Sequence, residues 1–229
     1  MRIEPNYNGF RKFFLENRKG ADKKYADLSK EFEDTFNEIL QLGVGANLGA
    51  GQKRKGTVIT LYLRGAKYLY TSYQLSLTGH TEESRALLRN TIELLMLGFL
   101  ISKSDEVYSL WLECHELRTK NTDKYGNVDM ELAHDEKFWV SKIRSKHRHI
   151  LEESDEAQRL YKTWKEFSTR YSHENMYNIA VRIETNDGRT ELYLGDGHDS
   201  ASGRMSENLR LVLEVTKDVL SFMKNERSC

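Results

Sequence analysis

The stretch HTEESRALLRNTIELLMLGFLISK, residues 80–103, decides the fold class. Over residues 92–101 every position except Glu93 is apolar or glycine, which predicts a helix that is covered on most sides. Arg85, Arg89 and Glu93 follow at intervals of four residues, so they lie on one stripe of that helix. We call these three residues the charged stripe. Because buried charges are rare unless they are paired, the stripe is either an internal structural clamp or part of a functional site.

Composition limits the kinds of partner that the whole chain attracts. The 229 residues include 35 Lys+Arg and 35 Asp+Glu, so a net charge near zero gives no general attraction to nucleic acid or anionic membranes. The two cysteines form neither a CxxC pair nor a disulfide framework, which favours a reducing cytoplasm. The N-terminus lacks an apolar signal region, and the longest apolar run, Leu94–Ile101, is far shorter than the about 20 residues of a membrane span. We therefore expect a cytoplasmic chain without membrane contact.

Apolar spacing predicts an all-α, antiparallel helical bundle with one inserted β-hairpin near residues 178–194. The hairpin prediction rests on alternation up to Ile183, a turn at Asn186–Gly188, and resumed alternation at Leu192. We expect a single domain, in which an N-terminal helix and a Gly-rich loop (1–56) are appended to the bundle (57–229). The predicted helices span residues 21–42, 57–78, 136–151 and 154–171, begin at residues 81 and 104, and end the chain after residue 204.

Two sequence patterns superficially suggest ligand binding. Residues 43–56 hold five glycines, but the near match to a phosphate-binding loop lacks the lysine after Gly56, and no strand leads into it. A flexible linker is the favoured interpretation. His115–Glu116 and His173–Glu174 lack the second histidine of a zinc-binding HExxH motif. We therefore predict neither a metal nor a cofactor.

A basic segment, residues 137–149, contains five cations and no acid. Lys142, Arg144, Lys146 and Arg148 are its candidate contacts to nucleic-acid phosphates. Acidic residues flank the segment on both sides, so ion pairing within the bundle is the alternative.

The charged stripe has two interpretations. Arg89 and Glu93 have the spacing of an ion pair along the helix, and a buried pair would fix the packing of a neighbouring element rather than add net stability. The candidate neighbour is the end of the sixth predicted helix, at Arg170–Glu174. As a functional site, the stripe would instead form a pocket with His80 and a histidine such as His173.

The order of these motifs resembles HEPN-like helical proteins, and more narrowly a related family of uncharacterised prokaryotic proteins. The matching residues are His80, Arg85, Arg89-x3-Glu93, Trp111 and Ser172–His173. The resemblance implies a helical bundle, usually a homodimer, that acts in toxin–antitoxin, phage-defence or RNA-processing systems. RNA and a protein are then the candidate partners besides a second copy.

Many HEPN ribonucleases carry an Arg-x4–6-His motif, which only Arg144 and His149 match here, whereas Arg170 and His173 are separated by two residues. The preferred function is a binding or regulatory module of a prokaryotic stress or defence system. One alternative is a metal-independent endoribonuclease that uses Arg144/His149 or Arg170/His173. Another is a small-molecule sensor whose pocket is lined by the charged stripe and the tyrosine-rich second helix.

Overall fold

The computed structural model describes residues 7–44, 52–120, 146–170, 182–186, 189–193 and 199–228, which form eight helices and two short strands. The helices are α1 (Tyr7–Lys24), α2 (Ala26–Val44), α3 (Lys53–Leu77), α4 (Thr81–Lys103), α5 (Asp105–Lys120), α6 (Arg148–Leu151), α7 (Asp155–Arg170) and α8 (Asp199–Ser228). The predicted helical bundle is confirmed at this level.

The α3–α4 pair is the centre of the bundle. Gly79 lies between the two helices with a φ of +89°, a left-handed conformation that favours glycine, and the chain reverses there. The helices pack tightly at Gly98, where an added Cβ atom would clash with the ring of Tyr62. The prediction that residues 92–101 are covered is also confirmed, since the apolar residues of the second half of α4 are buried apart from the half-buried Leu94.

The other helices pack around this pair. α8 contacts α2, α3 and α4, whereas α7 and α5 pack on α4 and α1 lies against α2 and α3. Phe32 and Ile39 of α2 are buried in the common core. Full burial of one such side chain stabilises the fold by roughly 1.5–3 kcal/mol. Ion pairs from Glu31 to Lys217 (2.5 Å) and from Glu38 to Lys224 (2.6 Å) flank the α2–α8 contact.

Helix boundaries in the first quarter of the chain differ from the prediction. The predicted helix over 21–42 is two helices, because α1 already begins at Tyr7 and a turn at Tyr25 separates it from α2. The predicted loop over 43–56 is also too long at both ends, since α2 continues to Val44 and α3 begins at Lys53. Residues 45–51 lie outside the described part.

The segment between α5 and α8 is described in part. Strand β1 (Arg182–Asn186) pairs antiparallel with strand β2 (Arg189–Tyr193), and both fall within residues 178–194, where the sequence predicts a hairpin. Of the predicted helix over 136–151, the described portion consists of helical Lys146, a turn at His147 and the short α6. The final helix begins at Asp199, earlier than its apolar face indicates.

Candidate functional site

The charged stripe lies at the edge of the core rather than inside it. The Arg85 side chain is 10% exposed, whereas those of Arg89 and Glu93 are each 31% exposed. Nη2 of Arg89 is 3.4 Å from Oε1 of Glu93, as their four-residue spacing indicates. An exposed pair of this kind contributes about 0.3–0.5 kcal/mol, so the pair alone does not explain the stripe.

Glu93 also binds a neighbouring helix. The indole Nε1 of Trp164 on α7 donates a hydrogen bond of 2.8 Å to Oε1 of Glu93. Hydrogen bonds to an ionised acceptor stabilise a fold by roughly 1.5–3 kcal/mol, which is more than the bond along α4 provides. The same carboxylate oxygen therefore joins α4 to α7 and holds the side chain of Arg89.

Arg85 belongs to a buried polar cluster, which also contains Ser72, Ser76, Ser84 and Asn208. Its Nε donates to Oδ1 of Asn208 on α8 (3.2 Å), and its Nη1 is 3.9 Å from Oε1 of Glu82. The amide of Asn208 donates to the hydroxyls of Ser76 (2.7 Å) and Ser84 (2.8 Å). One asparagine thus joins α8 to both α3 and α4.

The serines of the polar cluster complete its hydrogen bonding. The hydroxyl of Ser84 lies 2.7 Å from those of both Ser72 and Ser76, and Ser76 donates to the Ser72 carbonyl oxygen at 2.9 Å. All three serines and Asn208 have no exposed surface. Because buried polar groups are costly when unsatisfied, this cluster specifies how the three helices pack. The sequence analysis missed it, although the four-residue spacing of Ser72 and Ser76 in an apolar helix was a signal.

His80 lies at the N-terminal boundary of α4. Its carbonyl oxygen accepts the first hydrogen bond of the helix from the Ser84 N–H (3.0 Å), and its Nδ1 is 3.6 Å from Oε1 of Glu83. His80 therefore contacts residues in the first turn of α4.

The predicted catalytic residues are described only in part. Of these, His173 and Arg144 lie outside the described residues, as does Lys142, which was predicted to contact phosphates. Arg170 ends α7, and its side chain is likewise not described. His149 is exposed on α6. Convergence of His173 with the charged stripe therefore stays a prediction.

Lys146 and Arg148, the described cations of the basic segment, have acidic partners. Nζ of Lys146 is 2.8 Å from Oε1 of Glu106, and this hydrogen bond is the main cause that lowers the pKa of Glu106 below its ordinary value. Nε of Arg148 is 3.4 Å from Oε1 of Glu152, while its guanidinium lies over the ring of Tyr161. Both side chains are more than half exposed, so these pairs are weak and do not by themselves exclude phosphate binding.

Arg54 and Arg159 form further polar contacts between helices, and the sequence analysis predicted neither of them. Arg54, which the predicted loop included, donates to the carbonyl oxygens of Ile101 and Ser102 at the end of α4, each at 2.6 Å, and to the Asp105 carboxylate. A cation suits the negative end of a helix dipole. On the other side of the bundle, Arg159 of α7 donates to the buried carboxylate of Asp218 on α8.

Burial is the main cause of the shifted pKa of Asp218. Desolvation raises the pKa of this carboxyl from 3.8 to about 6, and the hydrogen bond from Arg159 offsets the desolvation only in part. Asp218 lies on the face of α8 toward α7, on a different helix from the charged stripe.

Within the described ranges, no group of three or more His, Cys, Asp or Glu side chains is placed to hold a metal ion. No helix in that part of the chain is long and apolar enough to cross a membrane. Comparison of the chain with protein-family models, with curated proteins and with solved structures finds no significant match.

Proposed function

We propose that this chain is a HEPN-like helical bundle, with the paired strands inserted between α7 and α8, that acts as a homodimeric binding or regulatory module in the cytoplasm of a prokaryote. Its setting would be a stress or defence system, with RNA or a protein as further partner. The proposal is carried by the hydrogen bonds that join the charged stripe to two neighbouring helices. Glu93 is bonded to Trp164 of α7, and Arg85 is bonded to Asn208 of α8.

These bonds favour a positioning role over a catalytic one. A general base must reach the proton that it abstracts, and a cation that stabilises a transition state must face the reacting group. Arg85 is buried and donates to an amide oxygen, so neither condition suits it. Glu93 already accepts two hydrogen bonds on one oxygen. Both residues serve helix packing, as in a module that presents a fixed surface.

The proposal is tested by an RNA-cleavage assay with the full chain and labelled single-stranded RNA, in the presence of a metal chelator. We expect no cleavage above the rate of a buffer control. The variants His149→Ala and His173→Ala should then leave the RNA as intact as the wild-type chain does, and the exposed His149 should be replaced without a change in melting temperature. Cleavage by the wild-type chain that either substitution abolishes, while the helical circular dichroism is kept, would overturn the proposal.

A metal-independent endoribonuclease is the second candidate, and one observation favours it. His149 is exposed on α6, next to Lys146 and Arg148, whose side chains are more than half exposed. In such an enzyme a histidine would accept the proton of a ribose 2′-hydroxyl, and an arginine would stabilise the charge on phosphorus-bound oxygen. The same assay separates the candidates, because only the nuclease loses cleavage in His149→Ala.

A further inference from the structure

The outer side of the α2–α3 hairpin exposes a group of apolar side chains. Leu40 is 41% exposed, Tyr70 is 49% exposed and Val44, at the end of α2, is 89% exposed. The half-buried ring of Phe36 lies 5.7 Å from that of Tyr70 and joins the apolar surfaces of the two helices. We call these four residues the α2–α3 face. Grouped exposed apolar side chains with a tyrosine among them are typical of protein interfaces.

The two helices of this face run antiparallel. Phe36 is beside Tyr70, and seven residues later along α2 a Cβ atom at Gly43 would meet the side chain of Leu63, seven residues earlier along α3. The first half of α2 therefore lies beside the last half of α3. Charges carried by the first halves of the two helices consequently lie at opposite ends of the face.

Those charges have opposite signs. Glu33 and Asp34 are exposed in the first half of α2, and Lys30 beside them leaves that end net negative. Arg64 and Lys67 are exposed in the first half of α3. Within the part of the chain that the structure describes, none of these five side chains forms an ion pair. The face thus has an acidic end, a middle formed by Phe36, Tyr70 and Leu40, and a basic end at which Arg64 and Lys67 accompany Val44.

We propose that the α2–α3 face binds the same face of a second copy of this chain about a two-fold axis through its apolar middle. When this axis lies in the interface and runs across the two helices, the rotation exchanges the ends of the face, so the acidic end of one copy meets the basic end of the other. Tyr70 and Leu40 of both copies then meet at the axis, where water is excluded. The inference rests on the homodimer of the proposed function and names the surface that forms it.

Sedimentation velocity of the full chain over a range of concentrations tests the apolar middle. The wild-type chain should form a dimer, and Tyr70→Glu should raise its dissociation constant at least about tenfold, because a carboxylate at the axis meets its own copy. Leu112→Glu is the matched control, since Leu112 is an exposed apolar residue on α5. It should leave the dimer intact. A monomeric wild-type chain, or equal effects of the two substitutions, would overturn the inference.

Charge reversal tests the two-fold arrangement itself. Arg64→Glu and Glu33→Arg should each weaken the dimer, because each places like charges opposite one another in both halves of the interface. An equimolar mixture of the two variants should associate more tightly than either alone, since a mixed dimer restores opposite charges in both halves. A mixture that associates no better than the single variants would contradict this geometry. The RNA-cleavage result stays independent, so failure of this inference is distinguishable from failure of the binding-module proposal.

Discussion

Replacing Asn208 by alanine should destabilise the bundle strongly. Asn208 has no exposed surface, and its side chain donates to Ser76 and Ser84 and accepts from Arg85. Two bonds between neutral groups contribute about 1 kcal/mol each, and the bond from the charged guanidinium contributes about 1.5–3 kcal/mol. Because bonds in one cluster are not additive, we expect a loss of about 3–4 kcal/mol. That is a large part of the about 5–15 kcal/mol that typically stabilises a protein.

The assay is urea unfolding followed by helical circular dichroism. Thr216→Val is the matched control, because this buried hydroxyl on α8 donates only within its own helix, to the Val212 carbonyl oxygen at 2.7 Å. It should cost about 1 kcal/mol or less. A loss below about 1 kcal/mol in Asn208→Ala, or one equal to that of the control, would refute the reasoning.

Three further predictions concern the packing and charge of the bundle. Gly98→Ala should lower the free energy of unfolding by about 1–3 kcal/mol, because its methyl group clashes with Tyr62, whereas Gly20→Ala, with open space around it, should be neutral or stabilising in the same urea assay. Arg54→Met should cost about 2 kcal/mol in that assay, because the last carbonyl groups of α4 lose a charged donor. The pKa of Asp218 is about 6 in the folded state and about 3.8 in the unfolded state, so the folded state binds this proton more tightly. The free energy of unfolding should therefore fall as pH rises between these two values, by up to about 3 kcal/mol. Asp218→Asn should remove that fall when stability is measured as a function of pH.

Local spacing was enough to predict part of the candidate site. A helix with apolar residues on nearly every side must be buried, and four-residue spacing brings Arg89 and Glu93 together whatever the rest of the fold does. The end of α3 could also be predicted from local sequence, because Gly79 follows it and occupies a left-handed conformation that other residues avoid.

The partners of the charged stripe could not be predicted from spacing. Trp164 is 71 residues from Glu93, and Asn208 is 123 residues from Arg85, so these contacts depend on how α7 and α8 pack against α4. Arg54 was assigned to a loop because glycines surround it, yet its bonds to the end of α4 accompany a helix that begins at Lys53. Glycine content indicates where a chain is free to turn, but it does not reveal a long-range contact that orders the neighbouring residue.

A double-mutant cycle at Glu93 and Trp164 tests most directly whether the charged stripe positions helices. The four chains are the wild type, Glu93→Gln, Trp164→Phe and the double variant, and the measured quantity is the free energy of unfolding in urea. If the indole N–H bond to the carboxylate holds α7 on α4, the two substitutions should be coupled by about 1 kcal/mol or more, and Glu93→Ala should cost more than about 2 kcal/mol. Additive effects, within about 0.3 kcal/mol, would contradict the positioning role that we assign to the stripe.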